Sequence, residues 1–136
     1  MLKDMWAKLD TYTCRAGDVT SQRPVNVRNE WGGFSKKLKM PVFTGWQDHI
    51  SNVSGQMRCQ ISDQTWSNKA GVNNQEFWVE HAIKNGGEAA FFVIKAQDAA
   101  AEPRKVEWLD DTRVLIGEIE RVGTATFIVA KRTLEI

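Results

Sequence analysis

The sequence predicts an α+β protein: a curved antiparallel sheet or small open barrel carrying one main helix at about 75–85 and a short N-terminal helix. Three observations carry this expectation. Trp78, Val79, Ala82 and Ile83 recur at helical spacing, with Asn73 and Glu76 placed as a capping box and Lys84 with Gly86-Gly87 as stop signals. Residues 89–96 form a nearly continuous apolar run of the length and type of a central strand. Residues 112–122 and 124–131 read as a hairpin closing near Gly123. Its apolar phase slips at Gly117, where a bulge would restore one face and add curvature. Strands that cluster after the helix, rather than alternating with helices, give the α+β class.

The remaining elements follow in chain order. Leu2, Met5, Trp6 and Leu9 make an apolar stripe at three- and four-residue spacing, hence a short helix over 1–9. Residues 11–24 are small and polar and are expected to run over the surface. Residues 25–28 alternate like a short strand, punctuated by Gly32-Gly33. A strand over 38–43 is expected at an edge or a bend because it contains Pro41. Residues 44–74 are mostly turn formers, with 57–61 as the one alternating strand, and a stretch this irregular is usually functional. A short strand over 105–109 and a turn at Asp110-Asp111 complete the chain, and 1–136 reads as a single domain.

Composition narrows the function classes. Apolar residues make up 42% and charged residues 26% of the chain, so a soluble globular protein is expected, and the net charge of +1 implies no bulk attraction to polyanions. No apolar run approaches the ~20 residues that span a bilayer, so no membrane partner is expected. Asp4 and Asp10 interleave with Lys3 and Lys8, which is unlike an export signal, so the expected setting is cytoplasmic and thiol-reduced. Cys14 and Cys59 are too few for a disulfide scaffold.

Catalytic, metal and cofactor signals are weak. Cys14, His49, Cys59 and His81 are zinc-type ligands, but no two lie closer than ten residues, against the close pairing of structural zinc sites. Cys59 alternates with Met57 and Ile61 and reads as a core thiol. Asp48 and His49 are adjacent, and on extended chain adjacent side chains point apart. Glu76, Glu80 and Lys84 follow the pattern of a solvated helix face. Neither Gly32-Gly33 nor Gly86-Gly87 has the spacing of a phosphate loop. No catalytic residue, metal site or cofactor is therefore assigned.

Binding is the stronger expectation. Four of the six tryptophans, Trp31, Trp46, Trp66 and Trp78, fall between 31 and 78, and the first three lie in polar, glycine-bearing sequence. Arg28, Lys36, Lys37 and Lys39 surround Trp31 and Phe34, mixing phosphate partners with stacking faces. Residues 64–69, which include Trp66 and Asn68, form a polar loop able to read base edges or sugars. Phe77 and His81 sit one turn apart on the helix margin. Nucleic-acid contact is the first expectation. The alternative is a planar small ligand, or an enzyme substrate, in a tryptophan-lined cleft served by Trp46, Gln47, His49, Asp63 or His81. A self-associating homo-oligomer is the third. Against all three stands the bland reading, that Trp31 and Trp46 plug the sheet while the lysines keep an edge soluble.

Overall fold

Two separate apolar layers organise the chain, one on each face of a mixed, mostly antiparallel open sheet. The computed structural model describes residues 1–15 and 18–136. Its elements are α1 (Leu2–Lys8), β1 (Thr11–Arg15), β2 (Asp18–Arg23), β3 (Gly32–Ser35) and β4 (Met40–Trp46). A single 3-10 turn (Gln47–His49) leads to β5 (Ile50–Val53), β6 (Gln56–Asp63) and α2 (Lys69–Lys84). The chain closes with β7 (Glu88–Ala96), β8 (Val106–Leu109), β9 (Arg113–Val122) and β10 (Ala125–Glu135). Among the described residues the strand order is β2-β1-β3-β4-β7-β9-β10-β6-β5, with β8 added to β7. The α+β class, the main helix and the short N-terminal helix match the expectation from sequence. No described helix is long and apolar enough to cross a membrane.

The apolar run at 89–96 is central as expected, between β4 and β9, and both its faces are covered. Ala90, Phe92 and Ile94 meet Met5, Trp6 and Leu9 on one face, where Trp6 packs edge-on to Phe92 at 5.0 Å. Ala89 and Phe91 face α2 with Trp78, Val79 and Ala82. The sheet bends strongly. A Cβ on Gly45 of β4 would lie 3.0 Å from Cys59 Sγ of β6, although β7, β9 and β10 intervene in the strand order. Among the described residues one pairing departs from the antiparallel rule: β4 and β7 run parallel, Val42 opposite Ala90.

Several local expectations are corrected. Residues 11–24 are a strand pair rather than surface chain (16 and 17 lie outside the described residues), and Thr13 and Cys14 are buried. Residues 25–28 are not a strand. Asn26 is tied into a turn instead, its carbonyl accepting the Glu30 N–H at 2.9 Å. Pro41 does not sit on an edge strand. The β4–β7 ladder begins at Val42, so a missing N–H at the second residue of β4 breaks no bond to β7. Residues 44–63 are largely regular, because β5 and β6 form a hairpin whose turn, Ser54-Gly55, has φ of 53° and 80°.

Helix α2 begins six residues before 75. Asn68 is its cap, the side-chain Oδ1 accepting the Gly71 N–H at 3.1 Å. At the other end the Gly87 N–H donates to the Ala82 carbonyl at 2.7 Å, and Gly86 and Gly87 take φ of 100° and 80°. Ile83, expected in the buried stripe, is 45% exposed. The helix is instead rolled toward Asn74 and Gln75, whose amides bond to β3 and β6. Glu76 and Glu80 hold Arg121 of β9 at 3.0 and 2.7 Å rather than pairing only with water.

The expected phase slip at Gly117 has another explanation. Val114 and Ile116 belong to the α1 face, whereas Leu115 and Ile119 face α2, so β9 is in register throughout. The extra residue is Lys131 on β10, between the pairs Ala130–Gly117 and Arg132–Ile116. A Cβ on Gly117 would fall on the Val129 carbonyl, which is why glycine stands opposite the bulge.

Candidate functional site

A three-residue turn joins α2 to β7, and β7 runs parallel to β4. The N-terminus of α2 therefore stands over the carboxyl ends of β4 and β7. Three rings from separate segments meet there. Trp31, just before β3, lies edge-on to Trp66 at 6.0 Å, and Trp66 lies 5.4 Å from His49 with 32° between the planes. All three are half-buried. A Cβ on Gly71 would come within 2.5 Å of the Trp31 ring, so the first turn of α2 can seat that indole only because residue 71 is glycine.

The backbone behind Trp31 is fixed by Asn74. Its Oδ1 accepts the N–H groups of Trp31 and Gly32, both at 2.9 Å, and its Nδ2 donates to the Gly32 carbonyl at 3.0 Å and to Thr13 Oγ1 at 3.3 Å. The Trp66 loop is tethered by Ser67, which donates to Glu102 Oε1 at 2.8 Å.

Beside the rings lies a charged group. Arg104 makes a forked contact to Asp48 at 2.7 and 2.8 Å and covers the Trp46 ring at 5.2 Å. Its guanidinium holds the Asp48 carboxyl below the usual carboxylate range. Trp46 itself packs on the α1 face of the sheet and is not part of the ring set. Residues 47–49 are not extended chain, so the adjacent side chains do approach: His49 Nε2 is 3.8 Å from Asp48 Oδ2, beyond hydrogen-bond length. With the carboxylate engaged by Arg104, the pair is no acid–base dyad. Burial holds the His49 ring below the usual histidine range, and Asp48 offsets only part of that effect.

The other residues singled out from sequence lie elsewhere. Asn68 is the helix cap at the edge of the ring site. Arg28 is exposed in the loop leading to Trp31. Lys36, Lys37 and Lys39 occupy the turn at the far end of β3, five residues beyond Trp31, or about 16 Å of extended chain. Lys36 covers Tyr12 at 5.4 Å, while Lys37 and Lys39 are exposed and engage no acidic side chain among the described residues.

His81 joins a second aromatic group farther along α2, 5.4 Å from both Phe34 and Trp78. Phe77 packs on Trp78 at 4.9 Å and lines a cleft of about 180 Å³ with Cys14, Arg15, Arg23 and Asn73. The structure therefore brings Trp31, His49, Trp66 and Asn68 together and sets Phe77, His81 and the lysines apart from them.

Cys59 is a core thiol, fully buried and pushed up to about 12. It forms no disulfide with Cys14, and no group of His, Cys, Asp and Glu among the described residues is placed to hold a metal ion. Sequence reasoning missed Gly71, Asn74, Glu102 and Arg104. Only Gly71 carried a signal, since glycine inside a helix often marks close packing.

The two histidines give the fold a pH dependence. Burial lowers both, and Lys84 adds to the effect at His81. The folded state thus prefers neutral rings, and their contribution is complete above the unfolded value of about 6.5 and is lost as pH falls from there through the lowered folded values. The urea midpoint is expected to drop between about pH 7.5 and about pH 5.5, and to drop less in a His49→Gln, His81→Gln double variant. Equal drops in the two proteins would refute this.

Together these features define an α+β sheet protein with an aromatic site at the open end of the parallel β4–β7 pair. No family model matches the chain, nor does any curated protein or solved structure.

Proposed function

We propose that the protein is a binding module whose aromatic site holds a planar nitrogenous ring of the nucleobase type. One observation carries this reading: Trp31, His49 and Trp66 are gathered from three distant segments and left half-exposed, while Gly71, Asn74 and the Ser67–Glu102 bond fix them from behind. A neutral imidazole beside two indoles suits a flat, uncharged ring, for which stacking is worth about 1–3 kcal/mol per base. Crevices at the carboxyl ends of parallel strands are common ligand sites in open α/β sheets, which supports the placement by analogy alone.

Such a ring can come from a free nucleoside or from a single strand of nucleic acid. The exposed lysine turn favours the strand, because it offers phosphate contacts at the other end of β3 from Trp31. Tryptophan fluorescence separates the two sources. Quenching by a nucleoside that is unaffected by salt indicates a small-ligand site. Quenching only by oligonucleotides, weakening steeply with salt and less so after Lys36→Ala with Lys37→Ala, indicates a strand. In either case Trp66→Ala is expected to weaken binding by about 5- to 150-fold. Gly71→Ala should also weaken it by displacing Trp31. No saturable quenching by nucleosides or oligonucleotides at low salt would overturn the proposal.

A further inference from the structure

Arg104 has the geometry of an anion receptor occupied by an internal substitute. Its guanidinium presents a fork to Asp48 and lies over Trp46, and only 21% of its side chain is exposed. Asp48 is 41% exposed and sits on the short turn after β4, next to His49 of the ring site. The fork that fits a carboxylate fits a phosphate equally well. Asp48 is the more exposed partner, so it can turn to water as an incoming anion takes the fork. Trp46 would keep the guanidinium in place during the exchange through its ring face. The segment that carries Arg104 is tied down on both sides, by the Gln97 N–H to the Lys105 carbonyl at 2.8 Å and by Glu102 to Ser67 at 2.8 Å. The receptor therefore stays beside the rings whichever anion it holds.

We infer that the ligand of the aromatic site carries an anionic substituent, of the phosphate class, that displaces Asp48 from Arg104. The inference rests on the proposed ring-binding reading and adds a second point of recognition to it. Asp48 is then a competing internal anion, which holds Arg104 in place in the empty site and screens it against anions that bring no ring.

Adenosine and adenosine monophosphate, titrated into the same protein, test this directly. The monophosphate is expected to bind at least several-fold more tightly than adenosine. Asp48→Asn should raise monophosphate affinity several-fold further and leave adenosine unchanged. Arg104→Gln should erase the difference between the ligands, with Arg104→Lys intermediate because it keeps the charge and loses the fork. Inorganic phosphate should compete with the monophosphate more strongly in Asp48→Asn than in the parent protein, and with adenosine in neither. Equal affinities for the two ligands in the parent protein and in Asp48→Asn would overturn the anion receptor while leaving the ring site standing. Failure of both ligands to bind would overturn this inference, and failure of single-stranded oligonucleotides as well would overturn the ring site. Urea midpoints of the three variants close to the parent value would establish that each is folded.

Discussion

Trp78→Ala is expected to cost about 3–5 kcal/mol of folding stability, a large share of what a domain of this size possesses. The indole is 2% exposed and sits at the centre of the layer between α2 and the sheet. It touches Tyr12, Phe34, Phe77 and His81 with ring centroids 4.9–6.1 Å away, so its removal leaves a cavity walled by rings that cannot easily collapse. The Nε1–H also donates to Thr13 Oγ1 at 2.9 Å, inside the fold. Thr13→Val removes that bond together with the longer one from Asn74 Nδ2 at 3.3 Å, and is expected to cost less, about 1–3 kcal/mol, because it keeps the ring packing while filling the same space. Urea unfolding of the two variants checks the order. A Trp78→Ala cost no greater than that of Thr13→Val would show that packing around the indole contributes little.

Asn74→Ala is expected to cost on the order of 3 kcal/mol and to abolish ring binding as well. The amide accepts the N–H groups of Trp31 and Gly32 and donates to the Gly32 carbonyl, so it serves as a fragment of strand mounted on a helix. Its loss leaves two backbone donors orphaned at the point where Trp31 is positioned. Asn74→Asp keeps the acceptor for both N–H groups and sets a second oxygen against the Gly32 carbonyl. It should therefore retain Trp31 emission closer to the parent than the alanine variant does. Unfolding midpoints and tryptophan emission maxima measured on the same samples distinguish the effects. A fully stable alanine variant with unchanged emission would remove Asn74 from this role.

Features set by local pattern were legible in the sequence. The run at 89–96 could only be a buried strand, and the hairpin around Gly123 lies where its turn signals placed it. Features set by distant partners were not. Asn68 and Asn73 both offer a capping side chain on paper, and in the fold Asn68 caps while Asn73 lies inside the helix. Pro41 reads as an edge residue unless the start of the β7 ladder is known. Lys131 carries no mark of being the extra residue in β10. At the site, the polar, glycine-bearing surroundings of Trp31, Trp46 and Trp66 pointed to all three alike, and nothing in the sequence set Trp46 apart from the other two. Asp48 and Arg104 are 56 positions apart, and their contact depends on the β4–β7 pairing that brings the two segments to one end of the sheet.

That parallel pairing also bears on how the protein comes to be folded. Val42 finds Ala90 only across an intervening 47 residues, so the middle of the sheet cannot zip outward from a hairpin. β5 with β6 and β9 with β10 can each form early from neighbouring chain, and helix α2 can form locally. The central β4–β7 seam, like the β6–β10 pairing, joins distant segments and is expected to form after these local units. Domains dominated by such distant pairings fold in milliseconds to seconds rather than microseconds. The open end of that seam, where the rings collect, is therefore among the last parts of the molecule to take shape.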